Sequence, residues 1–98
     1  MAKIARIPVQ DIEELTRQLL KSGSRIRELQ DTMEMLLLEQ KKNTQDYKAG
    51  NIQRLAFRDI TAKYESEKLN TSRKLTVAVH GGVNLINQIR NIVKRYRL

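Results

Sequence analysis

Ninety-eight residues allow one domain at most. With 40% hydrophobic, 31% charged and 4% aromatic residues, one Pro and four Gly, the chain is too apolar for a disordered tail and fits long helices better than a many-turned β fold. It has no Cys and a formal net charge of +8, which excludes disulfides and thiol chemistry and turns attention to polyanionic partners.

Residues 1–7 read as a short arm. Pro8 has a φ preset for a first helical turn and lacks the N–H that such a turn leaves unpaired. Asp11, Glu13 and Glu14 follow, acids near the positive end of a helix dipole. Alternating steps of three and four then give Ile12, Leu15, Leu19, Ser22, Ile26, Leu29, Met33, Leu36, Gln40, Asn43 and Tyr47. The rhythm keeps its phase through Ser22-Gly23-Ser24. It predicts one helix over 8–49, roughly 60 Å long.

Gly50 and Asn51 take the left-handed conformation readily, so residues 50–53 should reverse the chain; Asn51 could also cap the next helix. The second helix is expected over 54–97. Its seam reads Phe57, Thr61, Tyr64, Lys68, Thr71, Leu75, Ala78, Gly82, Leu85, Ile89, Ile92 and Tyr96. A second apolar edge runs through Leu55, Ala62, Leu69 and Val77, and on the first helix Met35 and Leu38 lie off the seam. A helix with two apolar edges touches two neighbours. Leu55, Ala62, Leu69, Met35 and Leu38 are therefore the candidate oligomer interface. The expected fold is all-α: a long, coiled-coil-like antiparallel helical hairpin that associates into a four-helix bundle, most simply a homodimer.

If Tyr47 faces Phe57 beside the turn, Met33 falls near Thr71, Ile26 near Ala78 and Ser22 opposite Gly82. Ser22, Gly23, Gly81 and Gly82 then read as one close helix crossing, where missing side chains let backbones approach. Two adjacent glycines cost about 2 kcal/mol in a helix relative to alanine. The second helix is then continuous or kinked at 81–82; a competing reading breaks it cleanly there and makes 83–98 a separate helix.

The residues offer little chemistry. His80 is the one histidine, so a His/Cys metal cluster cannot form within one chain. His-Gly-Gly-Val-Asn at 80–84 lacks the Lys-Ser/Thr of a phosphate loop. The acids have basic partners at helical spacing, such as Glu13 with Arg17. No enzyme, cofactor, metal or small-molecule substrate is expected. Apolar runs fall short of the roughly 20 residues of a membrane span, and the N-terminal segment is too short for a secretory signal. A cytoplasmic location is the expectation.

The charge is uneven. Residues 1–50 carry nine Lys/Arg against eight Asp/Glu, residues 51–98 ten against three, and no acid follows Glu67. Arg90, Lys94, Arg95 and Arg97 are a candidate polyanion-binding set at the end of the last helix, where cations also complement the dipole. A last core helix with cations at its negative dipole end accounts for most of the pattern; nucleic acid is the next reading, and an anionic membrane surface ranks behind it.

The layout resembles the secreted helical-hairpin family that turns on a Trp-x-Gly motif. Here the turn reads Tyr47-Lys48-Ala49-Gly50, without the Trp, and the resemblance implies architecture alone. The function expected is a non-enzymatic scaffold or adaptor whose partners are a second copy of itself or another helical protein. The alternative is a small basic nucleic-acid-binding protein.

Overall fold

The computed structural model describes residues 9–96; the arm 1–7, Pro8 and Arg97 lie outside them. Two α-helices make up nearly all of the described chain, α1 over Val9–Lys48 and α2 over Arg54–Tyr96, and no strand occurs among the described residues. α1 runs through Ser22-Gly23-Ser24 and α2 through Gly81-Gly82 without interruption. Thr16, Thr32, Thr44 and Thr76 satisfy their hydroxyls by donating to the carbonyl one turn back, Thr16 to Ile12 (2.7 Å) and Thr76 to Ser72 (3.0 Å) among them.

The stop of α1 follows from Gly50, whose φ of +79° is left-handed. With Gly50 in that conformation its N–H donates to the Tyr47 carbonyl (3.0 Å), and the Asn51 N–H reaches back to Asp46 (2.9 Å). This pair of bonds satisfies carbonyls that the helix end would leave open. The first bond of α2 runs from the Phe57 N–H to the Gln53 carbonyl (2.9 Å), so Gln53 rather than Asn51 stands at its N-terminal boundary.

The chain forms two compact units. The first comprises the segments up to Ile26 and from Val77 onward; the second is Arg27–Thr76. In the second unit the end of α1 and the start of α2 form a helical hairpin. The Tyr47 and Phe57 rings stack beside the turn with centroids 4.2 Å apart and planes 14° apart, and Gln40 reaches Glu65 across the pair (2.8 Å). Leu29 and Leu36 are its buried apolar side chains, joined by buried Asn43 and Thr71. In the first unit Ser22 donates to the Ala78 carbonyl (3.3 Å) and, further from the turn, Leu15 lines a groove with Gln88 and Ile92, so the two segments run antiparallel.

Withdrawal from solvent follows the same rhythm on both helices. On α1 the less exposed positions include Ile12, Leu15, Leu19, Ser22, Ile26, Leu29, Met33, Leu36, Gln40, Asn43 and Tyr47; on α2 they include Phe57, Thr61, Tyr64, Lys68, Thr71, Leu75, Ala78, Gly82, Leu85, Ile89, Ile92 and Tyr96. Each helix thus has one seam turned inward and a broad outer surface turned to water.

Candidate functional site

Leu55, Ala62 and Leu69 lie along one exposed edge of α2 in the second unit, with Leu55 72% and Leu69 53% exposed. Glu65 shares that edge. Its Oε1 accepts from Gln40 Nε2 and lies 2.9 Å from Lys68 Nζ. The bonds from Lys68 first, then Gln40, hold its carboxyl below the ordinary carboxylate range. Met35 and Leu38 are also exposed but sit on the outward surface of α1, so the five residues do not share one face.

The seam of the second unit is partly polar. Asn43 retains 6% of its exposure, and its Nδ2 has no hydrogen-bond partner; the Thr61 hydroxyl is likewise buried without one. The register fixed by Tyr47 on Phe57 puts these two residues at one level. Tyr64, on the same seam, has its hydroxyl pKa raised, by burial first and then by the Glu39 carboxylate.

In the first unit Ser22 and Gly82 meet. A β-carbon built on Gly82 would lie 3.2 Å from Ser22 Oγ and 4.0 Å from Ile26 Cδ1. Gly23 and Gly81 face away: a β-carbon on either meets nothing within 4 Å. Close approach therefore belongs to Ser22 and Gly82 alone among the four small residues.

The basic residues separate as well. Arg90 and Lys94 are exposed and one turn apart on the outer surface. Arg95 lies on another side of α2, where it lines a shallow open groove of ≈ 420 Å³ with Asp11, Glu14, Leu15, Gln88, Asn91 and Ile92. Arg97 lies outside the described residues. His80 is exposed, and no group of three or more His, Cys, Asp or Glu side chains is placed to hold a metal among the described residues. No helix among them is long and apolar enough to cross a membrane.

One surface was not singled out by its sequence. Val79, Val83, Ile86, Arg90 and Val93 succeed one another on α2 at steps of four and three, as Val9, Glu13, Thr16, Leu20 and Gly23 do on α1. In an antiparallel pair these stripes flank the seam on the same side. Six large apolar side chains are exposed there: Val9, Leu20, Val79, Val83, Ile86 and Val93. The opposite flank is mostly polar, with Asp11, Gln18 and Arg25 on α1 and Gln88 and Arg95 on α2, and exposed Val77 is its one large apolar side chain among the described residues. The signal was a second run of alternating steps beside the first, visible only once the seam is assigned.

No protein-family model matches the chain, and neither a curated protein nor a solved structure matches it.

Proposed function

We propose that this protein is a non-enzymatic helical scaffold or adaptor of the cytoplasm that works through helix–helix association, most simply as a homodimer whose paired helices make a four-helix bundle. The carrying observation is the thinness of the core. Two helices of 40 and 43 residues bury only two apolar side chains, Leu29 and Leu36, among the described residues, while twelve large apolar side chains stay exposed. Each buried leucine contributes about 1.5–3 kcal/mol, which is little against the cost of ordering so long a chain. A second set of helices would cover part of that exposed surface. Leu55, Ala62 and Leu69 offer one edge for it, and Met35 and Leu38 another.

Sedimentation or light scattering across the micromolar range tests this reading. A dimer or larger species is expected. A monomer of 11.4 kDa at every concentration, unfolding in one sharp transition, overturns it.

The absence of any acid after Glu67 favours a second reading, a basic protein that holds nucleic acid through Arg90, Lys94, Arg95 and Arg97. It requires binding to generic DNA or RNA that weakens steeply with salt, because phosphate contacts release counterions. Replacing the four residues by Gln should then abolish binding while helicity persists.

A further inference from the structure

We infer that the apolar flank of the first unit docks against the same flank of a second copy, related by a twofold axis that runs parallel to the helices, with Glu13 of each copy facing Arg90 of the other. This rests on the reading of the chain as a self-associating scaffold and names the surface and geometry of the association.

The argument begins with self-complementarity. The register of the first unit puts Gly82 level with Ser22. By the same count Val83 stands level with Lys21 and Arg90 with Glu14, so that on this flank Leu20 and Glu13 each lie one residue, about 1.5 Å, from the level of Val83 and Arg90. A twofold axis along the helices lays α1 of one copy over α2 of the other, antiparallel and at unchanged level. It therefore brings Leu20 to within one residue rise of Val83 and Glu13 to within one of Arg90, twice each. Apolar meets apolar and acid meets base at every outer position of the two stripes. Along the middle of the face, Val9, Val79, Ile86 and Val93 supply branched aliphatic side chains, with Thr16 and Gly23 between them. These can interleave as the seam of a bundle does.

Charge decides the occupant. The stripes hold one acid and one base, Glu13 and Arg90, so the face is formally neutral. An anionic bilayer or a nucleic acid would be met best by a surplus of positive charge on the docking face itself. A copy of the same face instead supplies both missing partners. Neither Glu13 nor Arg90 takes part in an ion pair among the described residues, so both are available. The area sets the strength. The Val79–Val93 stretch is about 21 Å long, and two helices side by side are about 20 Å wide, giving roughly 400 Å² of flat face per copy. A standard interface covers about 800 Å² per partner. The dimer expected from this face is reversible and concentration-dependent.

Charge reversal on the full chain tests the geometry. Glu13→Arg and Arg90→Glu are exposed changes, and circular dichroism should show unchanged helicity. Either variant alone puts like charges together at both symmetric contacts, and its dimerisation midpoint in sedimentation velocity should rise by about tenfold or more. The double variant should return to the wild-type midpoint. So should an equal mixture of the two single variants, because in their heterodimer each reversed charge faces an opposite one. Recovery in the mixture is the supporting result. A dimer unmoved by either reversal overturns this face and leaves association through the Leu55–Leu69 edge standing. Weakening without recovery in the mixture overturns the twofold pairing. A wild-type chain that stays monomeric overturns both this inference and the scaffold reading.

Discussion

Ser22 and Gly82 share one space: the serine hydroxyl sits 3.2 Å from where any β-carbon at position 82 would stand, and it uses that room to donate to the Ala78 carbonyl. Glycine at 82 therefore has a steric reason that glycine at 81 lacks, although the two are neighbours in one continuous helix.

From this follows a difference in sign. Gly82→Leu forces Ser22 and Ile26 aside, and overpacking of this kind costs about 1–3 kcal/mol. Helix propensity returns less than about 1 kcal/mol, so the variant should melt lower than wild type. Gly81→Ala and Gly23→Ala meet open space and should each gain about 0.5–1 kcal/mol from propensity alone. Thermal melts of the three variants check this; a higher melting temperature for Gly82→Leu would contradict the packing at Ser22.

Gly50 is the opposite case, a glycine with room but without freedom. Nothing lies within 4 Å of an added β-carbon there, yet its φ is +79°. Gly50→Ala should cost about 1–2 kcal/mol through backbone strain, and Gly50→Asn less, since asparagine tolerates that conformation. Urea titrations of the two variants should rank them in that order.

Asn43 carries a buried amide nitrogen without a partner. Replacement by leucine removes a desolvation cost of about 1–3 kcal/mol and adds apolar contact. Asn43→Leu should therefore raise the urea midpoint. A lone seam asparagine also restricts register and oligomer state, so the variant should show a broader distribution of species in light scattering. A lower midpoint would mean that the amide is satisfied in solution.

Glu65 predicts a pH dependence. Its carboxyl is held low by bonds from Lys68 and Gln40, so its contribution is present above the ordinary carboxylate range and fades as pH falls through the lowered value. Glu65→Gln should be less stable than wild type at neutral pH, and the gap should close on acidification. A gap that stays constant down to about pH 3 would exclude the linkage.

Much of the architecture is legible in the chain, because a seam of alternating three and four steps is the same pattern in the sequence as in the burial. The turn is legible for a related reason: few residues other than glycine stop a helix in the left-handed conformation. Direction around the helix was harder to read. Ser22, Gly23, Gly81 and Gly82 look alike as small residues, but one position along a helix is 100° around it, and this turns Gly23 and Gly81 out of the crossing. The same rotation parts Arg95 from Arg90 and Lys94. Val79 and Val83 are not legible as a stripe in the sequence, because a stripe beside a seam is recognised only after the seam has a partner and a side.

Two of the cross-helix hydrogen bonds among the described residues are closed by loops of very different size. Gln40 and Glu65 are 25 residues apart, Ser22 and Ala78 56. Closing the longer loop in an unfolded chain costs more entropy, by about 0.7 kcal/mol on the logarithmic scale, and it does so with no turn nearby to guide the ends. Once Tyr47 has found Phe57, each further level of the seam is reached by extending helices already begun rather than by a fresh search. The order of assembly is therefore directional, from the glycine turn outward. Amide hydrogens near Leu36 should exchange slowest, and those near Ile12 and Ile92 should be the first to open.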